Sequence, residues 1–146
     1  MSTLFPLIAV LLAGIGVAVQ APTNAMLART SGSILLASLM SFAGGTAILF
    51  SLWLAFDRTS PSTLKDVPGW AWLGGFYGAV FVAAVAFAAP RLGLATTLTV
   101  AIATQVAAAL ALDHFGWFGL KSDPVSITKL AGAALMLIGV VVIRRG

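Results

Sequence analysis

The first apolar run of this chain ends in AVQAPTNAML, where Gln20, Thr23 and Asn24 crowd around Pro22. Gln20 and Asn24 are four residues apart, so a helix would carry both on one face. Carboxamides donate and accept hydrogen bonds but do not titrate. Such a pair suits the recognition of an uncharged polar group, not proton transfer. A second polar stripe follows in ATTLTVAIATQ. Thr97 and Thr104 lie seven residues apart and share a face, with Gln105 beside them. Tyr77 adds a ring on which a solute could stack. The adjacent pair Asp113 and His114 has different chemistry. An imidazole titrates near neutrality, so the pair could respond to protons or gate a path. The plain alternative is a structural helix end, with Phe115, Trp117 and Phe118 anchoring the loop. An Asp at the negative end of a helix dipole loses about 0.3–1 kcal/mol unless paired. His114 or Lys121 could be that partner.

Other chemistries find little support. The chain has one His, no Cys and no Glu, and its Asp residues are widely spaced, so no metal site is expected. No nucleophile–base pair, phosphate loop or carboxylate dyad falls within the apolar segments. An enzyme is therefore not expected, and no cofactor is implied. The eight Lys and Arg are scattered singly, which argues against nucleic acid as a partner.

The elements that must position these residues are membrane-length. Of 146 residues, 60% are hydrophobic and 8% charged. A soluble domain carries about 25% charge, so the solvent of this chain is largely the lipid bilayer. Five apolar segments are expected at about 4–28, 33–56, 70–89, 94–112 and 124–143. Each reaches the roughly 20 residues that cross about 30 Å of hydrocarbon. Ser33 is placed to cap the second helix and Pro68 to open the third. Pro90 with Gly93 would part the third from the fourth. Asp123 and Pro124 would open the fifth as cap and first residue. The four Trp residues fall near segment ends, as interfacial anchors do. MSTLFP has no Lys or Arg, so the first segment is expected to be a retained helix and not a cleaved signal. No internal repeat is visible, and residues 1–146 are expected to form one five-helix transmembrane domain.

The QAPTN stretch poses a depth problem. Its uninterrupted apolar part, residues 4–19, spans only about 24 Å as helix. Pro22 also frees the carbonyl of Ala18. Such a break is tolerated at membrane depth only where protein or a wet cavity satisfies the freed groups. Three readings stay open: Gln20, Thr23 and Asn24 line a polar site facing Gln105, they glue helices together, or the helix ends early. Small residues mark close helix approach. Gly74 and Gly78 form such a pair, Gly132 and Gly139 another. Ser38, Ser41 and Gly45 share a face of the second helix. Each could pack within the chain or against a second copy.

The motifs QAPTNAML, SFAGGTAILF, PGWAWLGGFYGAVFV, PRLGLATTLTVAIATQ and LDHFGWFGLKSDPVSITKLAGAALMLIGV, in this order, resemble the YdcZ-like family of the drug/metabolite transporter superfamily. The resemblance covers nearly the whole chain. It departs at Thr104, where the family often has Gly before the fourth-helix Gln. The resemblance implies a multi-pass protein of the bacterial inner membrane, an exporter, and a five-helix unit similar to half of a ten-helix transporter. The small four-helix relatives pair antiparallel. Their first-helix carboxylate has no counterpart here, which argues against simple proton/drug exchange. Charge counting permits such pairing. Arg58, Lys65, Lys121 and Lys129 would fall on the N-terminal side of the membrane, against Arg29, Arg91, Arg144 and Arg145 on the other, a balance of four to four. The expectation is an all-α secondary transporter for a small amphipathic or uncharged compound. It would work as an antiparallel homodimer whose inverted copies supply the missing repeat. Gln20, Asn24, Tyr77, Thr97, Thr104 and Gln105 would line its cleft. A non-transporting membrane scaffold or accessory subunit is the competing class.

Overall fold

The structure, a computed structural model, describes residues 3–145. Among these the regular elements are all helical: α1 (Leu4–Ser31), α2 (Ile34–Leu52), α3 (Gly74–Leu92), α4 (Leu94–Phe115) and α5 (Ile127–Arg145). With their short flanking turns, all five are long and apolar enough to cross a membrane. The chain divides into two compact units, one ending at Pro90 and one starting at Arg91.

In the first unit, α1 does not break at Pro22, nor does it stop at residue 28. It runs 28 residues through the proline to Ser31, which rules out the early end. At 1.5 Å per residue it reaches about 42 Å, so the expected shortfall disappears. Thr23 Oγ1 donates to the carbonyls of Gln20 and Val19 at 2.8 and 3.3 Å, beside the carbonyl that Pro22 leaves without its usual donor. Hydroxyls of this kind let helices tolerate proline at membrane depth. Gly32 and Ser33 make the turn into α2. Ser33 caps it as expected, its Oγ accepting from the Leu36 N–H at 3.1 Å.

The end of α2 widens into a π-turn, Trp53–Asp57. Arg58, with φ of 57°, closes the turn. Its N–H donates to Trp53 O at 2.8 Å and its Nε to Leu54 O at 2.7 Å. The indole of Trp53 donates to Thr59 O at 3.1 Å. A single 3-10 stretch, Gly69–Leu73, follows Pro68 and leads into α3. Here too a proline fails to break a helix. α3 passes Pro90 and ends at Leu92, and Gly93 alone, at φ 84°, makes the turn into α4.

The second unit pairs α4 with α5. α4 extends to Phe115, three residues past its expected end, and stops at Gly116. A side chain there would be strained, since φ is 63° and a Cβ would sit 3.1 Å from Leu120 O. α5 starts at Ile127 and not at Pro124. Asp123 is not its cap, because the carboxylate turns to Lys129 Nζ at 2.7 Å. Ser126 takes the capping role, its Oγ accepting the Lys129 N–H at 3.2 Å.

Packing follows from the lack of hydrophobic drive between helices in lipid. The buried apolar residues are all small: Ala21, Ala25, Ala37, Val82, Val85, Ala86, Ala89 and Ala103. Large apolar side chains such as Phe5, Phe56 and Ile127 are exposed. In water that pattern would be untenable, whereas acyl chains cover it at no cost.

Candidate functional site

Within the first unit, two turns of α1 and one of α3 enclose a small cavity. Val17, Gln20, Ala21 and Asn24 line it from α1, and Phe81, Val82 and Val85 from α3. About 10 Å³ is open to the centre of a water molecule, roughly enough for one water. Helical spacing builds the α1 wall, since residues 17, 20, 21 and 24 recur at i, i+3, i+4 and i+7.

The two carboxamides differ in state. Gln20 is half-buried, and its Nε2 donates to Ser41 Oγ of α2 at 3.3 Å. Asn24 is 3% exposed, and its side chain makes no hydrogen bond among the described residues. Buried polar side chains almost always find partners. Among the described residues the buried side-chain polar atom without a partner is Ser38 Oγ, whereas the amide of Asn24 keeps contact with the cavity that it lines.

The remaining site residues sit as follows. Tyr77 lies on α3 one turn before Phe81, but it is 60% exposed and does not line the cavity. Its ring meets Phe76 edge-on at 5.8 Å. Thr97, Thr104 and Gln105 belong to α4 in the second unit. The hydroxyls of Thr97 and Thr104 donate to Gly93 O and Val100 O at 2.8 and 2.9 Å, which ties them to their own helix. Thr97 is buried, whereas Thr104 and Gln105 are exposed. Gly78 packs inside the chain, where an added Cβ would stand 3.3 Å from Phe42 Cζ. At Gly74, Gly132 and Gly139 a Cβ would meet nothing within 4 Å.

Asp113 and His114 form a loop clamp. His114 Nδ1 accepts the Val125 N–H at 3.1 Å, and His114 O accepts from Ser122 Oγ at 3.1 Å. Asp113 contributes its backbone, its carbonyl accepting the Asp123 N–H at 2.8 Å. Neither His114 nor Lys121 pairs with its carboxylate among the described residues. Phe115 and Trp117 stack at 5.1 Å beside the clamp, as loop anchors would. Beneath it, α4 and α5 leave a nearly apolar groove of about 350 Å³. No group of three or more metal-ligating side chains occurs among the described residues.

Sequence reasoning placed Ser38 and Ser41 on a small face of α2 but not as polar groups of a site. Ser41 is the partner of Gln20. The hydroxyl of Ser38 is buried without a partner. Phe81, Val82 and Val85 were missed because apolar residues carry no sign of which face they use.

Five membrane-length helices and an almost uncharged interior define a small multi-pass helical membrane protein. The family described as "Putative inner membrane exporter, YdcZ" matches residues 5–142, and the chain belongs to it. It is 30% identical over 135 residues to Inner membrane protein YdcZ of Escherichia coli K12, covering 91% of this chain and 90% of that protein. No solved structure matches it significantly. Membership and the five helices together make it a multi-pass protein of the inner membrane.

Proposed function

We propose that this protein is a secondary-active transporter that exports a small amphipathic or uncharged compound by alternating access, as an antiparallel homodimer. The observation that carries the reading is Asn24, an amide without a protein partner beside Gln20 in a cavity between two helices of membrane-spanning length. No charged residue lines that cavity. A charged solute would lose its hydration there with nothing to replace it. An amphipathic one would find amides for its polar end and Val17, Phe81, Val82 and Val85 for its apolar end. At about 10 Å³ the cavity holds no such solute as it stands, so binding requires the helices to part. Export is the direction that the family's description names. The dimer is supported by the absence of an internal repeat and by the balance of Lys and Arg.

The test is flux in proteoliposomes loaded with a panel of small neutral, cationic and anionic solutes. At least one neutral solute should leave faster than from protein-free liposomes. N24L should cut that flux about tenfold, the equivalent of one hydrogen bond to a bound polar group. Flux of no solute above background, or N24L flux equal to that of the parent, would defeat the reading.

A further inference from the structure

Several hydroxyls inside the helices of this chain fold back on their own backbone. Ser31, Ser51, Thr97, Thr99 and Thr104 each donate to the carbonyl four residues earlier, at 2.7–2.9 Å. Ser38 does not. It is 7% exposed, and its Oγ has no partner.

The register of the helices shows where this hydroxyl lies. The Gln20–Ser41 hydrogen bond sets one rung of the α1–α2 hairpin. The helices run antiparallel across a two-residue turn. One helical turn nearer that turn, Asn24 replaces Gln20 on α1 and Ser38 replaces Ser41 on α2. The first rung is closed by a hydrogen bond, whereas neither side chain of the second makes one: Ser38 Oγ is buried without a partner, and the amide of Asn24 lines the cavity. α3 reaches the same level. Phe42, one turn from Ser38, stands against Gly78. One turn beyond Gly78 is Val82, which lines the cavity together with Asn24.

The charged residues of these three helices, Arg29, Asp57 and Arg91, stand at or near their ends. Arg29 is five residues beyond Asn24 and so about 140° round α1. At this level Asn24 and Val82 line the cavity, Ser38 lies on α2 outside its present lining, and no charged residue lines it, so parting of the helices would add a hydroxyl to an amide and apolar walls.

We propose that Ser38 is a third hydrogen-bonding group of the candidate site, and that with Asn24 it selects a small neutral solute that both donates and accepts hydrogen bonds, such as an alcohol or a primary amide. This rests on the transporter reading above. The hydroxyl accepts from the solute's donor or donates to its acceptor as the helices part, and Asn24 takes the complementary role.

The chain has no cysteine, so S38C supplies its single thiol in the full-length protein. Vesicles carrying it are treated with neutral N-methylmaleimide, or with anionic or cationic methanethiosulfonates. V80C is the control, on the exposed face of α3. A thiol in lipid is held protonated and reacts slowly. S38C should react with the maleimide at least about tenfold faster than V80C, and with the charged reagents no faster. Equal maleimide rates would overturn the placement of Ser38, and rapid charged labelling would overturn the neutral class. S38A should melt at or above the temperature of the parent protein, since its hydroxyl holds nothing in place. A fall of more than about 3 °C would show a structural bond and sink the proposal. Failure of the transporter reading looks different: flux stays at background while the labelling pattern holds. Failure of the Ser38 assignment leaves flux sensitive to N24L while S38C stays silent.

Discussion

His114 accepts the backbone N–H of Val125 through Nδ1 at 3.1 Å, across eleven residues of chain. That nitrogen carries no proton in this arrangement, and a proton placed there would break the clamp. The bond fixes the loop that leads from α4 into α5. Asparagine can present an oxygen near the same position, whereas phenylalanine cannot. H114N should therefore melt close to the parent protein, and H114F should lose about 1 kcal/mol, the net worth of one hydrogen bond. Flux per folded molecule separates clamp from gate. A clamp leaves H114N flux within about twofold of the parent, while a proton-linked gate loses it, because an amide does not titrate.

Gly78 and Phe42 make a second testable contact, the closest approach of α3 to α2 seen at a glycine. A Cβ at Gly78 would lie 3.3 Å from Phe42 Cζ, a few tenths of an ångström tighter than comfortable. Alanine should be tolerated, since its better helix propensity, worth about 1 kcal/mol, offsets a small ring shift. G78L should cost about 1–3 kcal/mol through overpacking. Adding F42A should recover part of that cost, and thermal melts of the three variants in detergent would show it. Gly132 and Gly139 have open space instead. G132L and G139L should leave the melt of the single chain unchanged, and a drop in crosslinked dimer on their introduction would place α5 at the seam between copies.

The legible part of the fold was what composition and length dictate. Five helices follow from apolar runs that fit a bilayer, and Ser33 behaves as a side-chain cap because its hydroxyl has only one nearby use. The prolines misled. In water Pro22 and Pro90 would end helices, but lipid gives a broken backbone nowhere better to go, so both helices continue. The start of α5 was misplaced because Asp123 had two possible partners, a helix terminus and Lys129, and a sequence does not rank them. Gln20 and Asn24 could be picked out because polar residues are conspicuous in an apolar run. Ser38 was hidden by its size, since a small hydroxyl reads equally as packing surface.

Pro22 itself gives a further prediction. A proline inside a helix costs about 3 kcal/mol relative to alanine, yet α1 passes through it. P22A restores the donor to the carbonyl of Ala18 and should raise stability by about 1–3 kcal/mol. If the weak point next to Asn24 serves to let α1 flex as the site opens, the more stable variant will transport more slowly. A melt that rises while flux falls is the expected pair of results. Flux unchanged in P22A would show that the proline has no part in opening.

The antiparallel dimer makes the strongest demand on insertion. With four positive residues on each side, the chain has no electrostatic reason to choose an orientation. Single cysteines at Thr3 and at Gly146, which leave the charge balance intact, should each be labelled from both faces of the membrane, in comparable amounts. R144A/R145A changes the balance to four against two (four minus the pair removed). The N-terminal side should then face the cytoplasm in most molecules, since positive loops are retained there. If opposed copies form the working unit, flux should fall as the minority orientation is depleted. Co-expressing a second variant biased the other way, R58A/K65A, should restore it. Flux of the co-expressed pair above the sum of the two variants expressed singly cannot come from a monomer or a parallel pair, because neither gains anything from a copy inserted upside down. A parent protein labelled from one face only would remove the dimer from the mechanism and leave the Asn24 cavity to be completed within a single chain.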